Sequence, residues 1–193
     1  MTEVRIAPLA PDNEVATAYG APPGREGPVL NIFRTLARNE PLFKQFSRLG
    51  GHLLRRGEVP AREREIVILR VGFRCASEYE FGQHTVIGKA TGLTDDEIAR
   101  LAHEDASGWS GDDAALVAMA DELCADDMVS DATWKLLAAR WSDAQLLELL
   151  MLAGYYQLVS GVLNSAGVPL EPTTPGWPEG AQVTRRAPRE RSA

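Results

Sequence analysis

The sequence has few of the residues that cross-link secreted proteins, transfer electrons or span membranes. Its 193 residues include only two cysteines, Cys75 and Cys124, which form neither a CxxC motif nor the dense pattern of a disulfide-rich domain. No window reaches about 18 uncharged apolar residues, the length that a membrane span requires. The N-terminus also lacks the basic segment and apolar run of a signal peptide. We therefore expect reduced thiols in a cytoplasmic protein with no membrane partner.

Basic surface is scarce as well. The net charge is -7 and the isoelectric point is about 5.0. A nucleic-acid surface would need a local basic patch that works against this negative field, and the central part of the sequence shows none. We therefore expect no nucleic-acid partner.

The chain length and composition predict one domain with irregular ends. A chain of 193 residues with 45% hydrophobic composition can bury one sizeable core. Residues 1–28 contain five prolines, which is typical of an extended arm laid on a surface. Residues 171–193 form a Pro/Gly-rich tail whose basic end we interpret as solvated and disordered. The helical domain is expected over residues 29–170.

The spacing of apolar residues predicts helices throughout this domain. The segments "LNIFRTLARN" and "PLFKQFSRLGGHLL" each place apolar side chains on one face. In "PAREREIVILRVGF", Pro60 and the early acidic residues favour a helix start. The run from Ile66 to Val71 is β-branched enough for a buried strand, but no partner strand is evident elsewhere, so a helix is favoured.

Three capping boxes support an all-α domain. In this motif a hydroxyl accepts a bond from a backbone amide and the side chain three residues later reaches back. The pattern occurs at Ser77 with Glu80, Thr94 with Glu97, and Ser142 with Gln145. Gly92 and Gly167 follow predicted helix ends, as C-terminal caps do. The long helix before Gly167 is apolar almost all round, which predicts a core position or a subunit interface and therefore self-association of undefined stoichiometry.

One helix in this pattern carries candidate chemistry. In "SEYEFGQH", Glu80 and His84 lie one turn apart on the same face, where a carboxylate can orient an imidazole and raise its basicity for proton transfer near neutral pH. Tyr79 and Gln83 lie on a neighbouring face and offer polar groups to a substrate. The alternative for Glu80 is the capping box alone, and for His84 a structural role.

Three side chains of the preceding helix complete the candidate site. Glu65 lies among apolar residues, so its pKa should rise unless it finds a partner, and a helical hairpin would bring it to His84. Arg70 and Arg74, one turn apart, are candidates to hold a substrate carboxylate, although solvent exposure is the alternative. Cys75 is more typical of a small buried filler than of a nucleophile.

These segments resemble a known family. "NIFRTLARNEPLFKQF" and "EREIVILRVGFRCASEYEFGQHTVIGKATGLTDDEIARL" are similar to the carboxymuconolactone decarboxylase family, which includes the alkylhydroperoxidase D branch; the similarity spans about residues 30 to 165. The resemblance implies an all-α helical bundle of this type, a homo-oligomer, and an active site beside the helix that carries His84.

The peroxidase branch has the pattern Glu, eleven residues, Cys, two residues, Cys, three residues, His. In this sequence those positions are Glu65, Ser77, Glu80 and His84, so the acid and the histidine are present and both thiols are absent. Peroxide reduction of that type requires a thiolate and a resolving cysteine, which a serine and a glutamate cannot replace.

The decarboxylase branch implies acid/base chemistry without metal or organic cofactor. We therefore expect a lyase, decarboxylase or isomerase for a small organic substrate, with or without a carboxylate. His84 is the expected general acid or base, Glu65 and Glu80 orient it, and Tyr79 donates to oxyanion charge. The expected substrate contacts are Ser77, Arg70, Arg74 and Gln83. An alkylhydroperoxidase-like antioxidant protein that uses Cys75 and a non-catalytic oligomeric binding protein remain alternatives.

Overall fold

A computed structural model describes residues 3–20, 28–105 and 108–184 of the protein. Within these ranges the chain forms nine helices and no strand. The helices are α1 (Glu14–Gly20), α2 (Asn31–Leu36), α3 (Glu40–Arg55), α4 (Ala61–Arg74), α5 (Glu78–Ala90), α6 (Asp95–Leu101), α7 (Gly111–Asp126), α8 (Asp131–Arg140) and α9 (Asp143–Ala166). The predicted all-α fold is therefore confirmed.

Helix α4 is the centre of the bundle. Every residue from Glu65 to Phe73 is buried, and α5, α7 and α9 pack around this helix. The run from Ile66 to Val71, which locally suits a strand, is helical because its side chains are covered on all sides by other helices. Tertiary packing here overrides the β-branched preference. The strand alternative is wrong.

A tight reversal joins α4 to α5. Cys75 caps α4, Ala76 adopts a left-handed conformation with φ of 49°, and Ser77 begins α5. The amides of Ala76 and Ser77 donate to the carbonyls of Phe73 and Gly72 at 2.8 and 2.9 Å, which is the Schellman arrangement. A non-glycine residue at this φ costs about 1 kcal/mol. The reversal makes α4 and α5 the hairpin that the sequence analysis required.

Two of the three capping boxes are confirmed. Both reciprocal bonds form at Thr94 with Glu97 and at Ser142 with Gln145. The capping box at Ser77 and Glu80 is wrong: Ser77 is the N-cap residue, but its side chain makes no capping bond. The carboxylate of Glu80 turns instead toward the ring of His84.

The ends of α5 and α9 agree with the predictions from the sequence, whereas the N-terminal segment agrees only in part. Gly167 caps α9 in the left-handed conformation, and Gly92 follows α5 with a positive φ, as expected. The amides of Arg5 and Ile6 donate to the carbonyl of Ala166, so the first described residues lie against the end of α9. The extended arm expected over residues 1–28 nevertheless contains α1, whose Ala16 is fully buried beside Phe43.

Residues 171–184, here called the C-terminal segment, pack across α5 rather than leaving the domain. The Trp177 ring lies 4.9 Å from the ring of Phe81 and 6.3 Å from that of Phe73, centroid to centroid. The Gln182 amide donates to the carbonyl of Ala102 at 3.2 Å. The basic end that we interpreted as disordered begins at Arg185 and lies outside the described residues.

Helix α9 combines a buried face with an exposed apolar one. It is the one helix, among residues that the structure describes, with the length and composition of a membrane span. Half of that stretch is buried against the other helices, which is typical of a core helix in a water-soluble domain.

Gly82→Ala is expected to loosen the C-terminal segment, because a methyl group on Gly82 would collide with the backbone carbonyl oxygen of Pro175. We expect a glutamate-specific protease to cleave after Glu179 about tenfold faster or more, since local opening exposes the site. Gly88→Ala, in the same helix, is the control: the three atoms nearest to its methyl group would be side-chain atoms of Leu93, Leu69 and Glu65, outside the C-terminal segment. Equal cleavage rates in the two variants would contradict the expectation.

Candidate active site

The imidazole of His84 lies between two carboxylates. Its Nδ1 is 2.6 Å from Oε2 of Glu65, and its Nε2 is 3.0 Å from Oε1 of Glu80. Glu65 is completely buried, and Glu80 and His84 expose only 4% and 5% of their surface. The structure therefore brings together the three residues that the sequence places at the centre of the candidate site.

The α4–α5 hairpin sets this geometry. Glu80 and His84 are one turn apart on α5, so their side chains share a face. Gly88 lets α5 approach α4 at the level of Glu65, because a methyl group there would lie 3.1 Å from Leu93 Cδ1 and 3.3 Å from Leu69 Cδ1. The close approach allows the Glu65 side chain to reach the ring from the neighbouring helix.

Arg64 extends the cluster by one cation. Its Nε lies 3.3 Å from Oε1 of Glu65, and its side chain is 12% exposed. The result is a line of alternating charge from Arg64 through Glu65 and His84 to Glu80, here called the charge chain. Each buried carboxylate has a cationic neighbour, as buried charges require. The sequence analysis missed Arg64, although its position next to Glu65 could have indicated it.

The two carboxylates set the protonation of the ring. Burial disfavours the imidazolium form, but the charges and hydrogen bonds of Glu65 and Glu80 outweigh burial and raise the pKa of His84 from 6.5 to about 10. His84 is then a cation at neutral pH, with both ring nitrogens donating. Since the folded-state pKa exceeds the unfolded one, this protonation stabilises the fold fully below pH 6.5, and the contribution falls as the pH rises toward 10.

An aromatic side chain of α9 closes the site. The Tyr156 ring packs edge-on against the His84 ring with 4.9 Å between centroids. Burial, together with the charges of Glu80 and Glu65, raises the pKa of the Tyr156 hydroxyl well above its ordinary value. Tyr156 therefore stays a neutral phenol. The sequence analysis missed it, and the pair of tyrosines inside an apolar helix was the available signal.

The side chains of Tyr79 and Gln83 form hydrogen bonds with the C-terminal segment instead. The Tyr79 hydroxyl donates to Oε1 of Glu171 at 2.7 Å and accepts from the amide of Ile32 at 3.2 Å. The Gln83 amide donates to Oε2 of Glu171 and, at 2.9 Å, to Oγ1 of Thr174. Both side chains are thus occupied, and the expected roles of Tyr79 as an oxyanion donor and Gln83 as a substrate contact find no support. The sequence analysis missed Glu171, because no motif in the residues around it indicates these contacts.

Neither arginine is placed to hold a substrate carboxylate. Arg70 is completely buried and forms a bidentate pair with Asp121, at 2.6 and 2.7 Å, while its remaining donors reach three backbone carbonyls. Arg74 pairs with Glu104 at 2.6 Å and lies 3.5 Å from Asp121. The role proposed for Arg70 is therefore wrong, since its donors are taken by Asp121 and by backbone carbonyls of residues 101–104. Arg74 lines a cavity to which no residue of the charge chain contributes.

Ser77 remains beside the charge chain with its hydroxyl unsatisfied. Its side chain is completely buried, and Oγ has no hydrogen-bond partner among the described residues. Ser77 precedes Glu80 by one turn of α5, so both share a face with His84. A buried hydroxyl with no partner is costly, and it is a group that a bound substrate can satisfy.

Metal ligation has no evident place in this arrangement. Among the described residues, no group of three or more His, Cys, Asp or Glu side chains has a geometry that could hold a metal ion.

Residues 40–122 match the model of the carboxymuconolactone decarboxylase family. This part of the chain is therefore similar to that family, as the sequence analysis expected. The matched region runs from α3 to α7 and contains every member of the charge chain. No curated protein matches the sequence.

Solved structures share the fold at low sequence identity. The chain resembles an AhpD-type protein of unknown function from Agrobacterium tumefaciens, with 14% identity, a TM-score of 0.65, and coverage of 70% of this chain and 94% of the other. A peroxidase-related protein from Silicibacter sp. TM1040 has 14% identity, a TM-score of 0.68, and coverage of 75% and 78%. A cysteine-to-alanine variant of the debrominase Bmp8, in complex with 2,3,4-tribromopyrrole, has 13% identity, a TM-score of 0.70, and coverage of 88% and 93%. These likenesses establish the fold.

The titration of His84 tests the charge chain directly. We expect nitrogen NMR to show both ring protons through neutral pH, with loss of one only near pH 10. Glu65→Gln removes the carboxylate that raises the pKa of His84 most but keeps a hydrogen-bond acceptor for the ring. The pKa of His84 should therefore fall by at least about one unit. Glu63→Gln, in the first turn of the same helix, is the matched control and should leave the titration unchanged. A wild-type midpoint near 6.5 would refute the arrangement.

Proposed function

We propose that this protein is a cofactor-independent acid/base enzyme, of the lyase, decarboxylase or isomerase type, that acts on a small carbon acid. The observation that carries the proposal is the buried imidazolium of His84 between two carboxylates. A charge held in a water-excluded site between fixed partners is a preorganised proton donor. The match of residues 40–122 to the carboxymuconolactone decarboxylase family supports an enzymatic role, and the reaction is our inference.

In the proposed reaction His84 is the general acid. Its Nε2 donates a proton to the carbanion or enolate carbon that forms as a bond to carbon breaks. Glu65 keeps its bond to Nδ1 and holds the neutral ring in the tautomer that results. Glu80 is the present partner of Nε2, so it must release this nitrogen to the substrate. After the product leaves, the ring takes up a proton from water and Nε2 pairs with Glu80 again.

The substrate must be small and must enter by local opening. The charge chain is almost fully covered. Arg70 and Arg74 are engaged elsewhere, so a substrate carboxylate would not be held by them. The groups that remain beside the ring are the Ser77 hydroxyl and the ring edge of Tyr156. One donor and one aromatic surface suit an enol, lactone or enone better than a dicarboxylate.

A substrate panel tests this function. Wild-type protein incubated with small carboxylic acids, lactones and enones should turn over at least one class, with activity falling as the pH rises through the pKa of His84 because the donor loses its proton. His84→Gln should lower kcat by about 10²–10⁴-fold. His52→Gln, on the exposed side of α3, is the matched control and should retain full activity. Turnover that survives His84→Gln would overturn the proposal, and binding without turnover across the panel would favour the non-catalytic binding protein.

We further propose that the protein self-associates through α9. Leu147, Met151 and Leu158 follow one face of this helix and expose 64%, 53% and 54% of their surface. Gly154 and Gly161 share that face and leave open space above the backbone. A stripe of this kind is large for a monomer surface and fits a second copy of the same helix.

Leu158→Glu should reduce the mass of the particle measured by light scattering during size-exclusion chromatography, because a buried carboxylate would oppose assembly. Leu136→Glu is the matched control, since Leu136 on α8 is 62% exposed and lies off this face. The interface assignment fails if wild-type protein is monomeric or if both variants behave alike.

A further inference from the structure

The two cysteines of the chain meet at the end of α4, away from the charge chain. Cys75 caps α4 and Cys124 lies in the last turn of α7. Both line a cavity of about 430 Å³, to which Arg74, Gln157 and Asn164 also contribute. The Cys75 thiol is within hydrogen-bonding reach of the Cys124 sulfur. Both residues are partly exposed, so small molecules can reach them.

The surroundings favour the thiolate form of Cys124. Its pKa is lowered chiefly by the hydrogen bond from Cys75, with burial acting in the opposite direction. The Gln157 amide donates to Sγ of Cys124 at 3.2 Å. The Arg74 guanidinium lowers the pKa further, and the carboxylate of Asp121 raises it. These contacts favour Cys124 as the attacking thiolate.

We propose that Cys75 and Cys124 form a redox-active dithiol site that exchanges with small molecular disulfides. The site differs from the two cysteine positions of the peroxidase branch, which Ser77 and Glu80 occupy in this chain. It also shares no residue with the charge chain, so it is independent of the acid/base function proposed above. The volume of the cavity suits a small disulfide, such as a peptide disulfide.

The exchange proceeds in two balanced steps. The Cys124 thiolate attacks one sulfur of the small disulfide; a mixed disulfide forms and the first small thiol leaves as a thiolate. The Cys75 thiol then loses its proton and attacks the Cys124 sulfur; the Cys75–Cys124 disulfide forms and the second small thiol leaves. The protein is oxidised by two electrons, and the small disulfide is reduced to two thiols. A small dithiol reverses the sequence.

The test uses the full chain with oxidised glutathione, with thiol titration and intact mass spectrometry as readouts. We expect wild-type protein to lose both thiols and two hydrogen atoms without forming covalent dimers. Cys75→Ser should stop at a single glutathione adduct on Cys124. Cys124→Ser should react at least about tenfold more slowly, because the remaining thiol lacks the partners that stabilise a thiolate.

Three controls make the result decisive. Arg74→Gln should slow the first step several-fold. Arg140→Gln should not slow it, although Arg140 is also ion-paired, with Asp112. Reduced and oxidised wild-type protein should act alike on the substrate panel, because the two sites share no residue, so failure of either proposal leaves the other standing. Wild-type protein that retains both thiols, that cross-links only between molecules, or that stops at the mixed disulfide would overturn the proposal.

Discussion

The buried pairing of Glu65 with His84 is the constraint on which the rest of the structure depends. Helix α4 can occupy the centre of the bundle only if its carboxylate is neutralised, because an isolated buried charge costs far more than a core contact returns. His84 provides the cation across the hairpin, and Arg64 and Glu80 extend the pairing at either end. Breaking such a pair by removing one partner costs about 3–5 kcal/mol. Stability and the candidate chemistry therefore rest on the same four side chains.

Helix α5 divides its polar side chains between two tasks. Glu80 and His84 face α4 and α9, where they form the site. Tyr79 and Gln83 face the C-terminal segment, where the carboxylate of Glu171 joins them and also accepts from the Asn31 amide at 2.6 Å. One carboxylate thus ties α2 and α5 to the C-terminal segment. The site is rigid because the helix that carries it is braced on its outer side.

Local signals in the sequence were sufficient for the all-α character of the domain and for the Glu65–His84 pair, but not for α1. The pair follows from helical periodicity together with the expectation of a hairpin. Contacts between distant segments could not be predicted, because no local pattern indicates them. They are the contacts of Arg70 with Asp121, of His84 with Tyr156 and of Tyr79 with Glu171. The capping box predicted at Ser77 and Glu80 is absent for a related reason. The sequence pattern of a capping box is present there, but a buried imidazolium is a stronger partner for a carboxylate than a backbone amide at a helix end. The Glu80 carboxylate therefore pairs with His84 and not with the amide of Ser77.

The carboxylate at position 80 also changes what a histidine can do in this fold. With a thiol there, the ring would face a weakly acidic partner that is neutral over much of the physiological range. With Glu80, the ring has a permanent anion on each nitrogen, which holds the pKa of His84 near 10 and makes it a proton donor at neutral pH. The thiols of this chain lie at the outer end of α4, where they contact each other and not the histidine. The charge chain and the pair of thiols are thereby separated along one helix, and each set of residues retains a partner that fixes its charge.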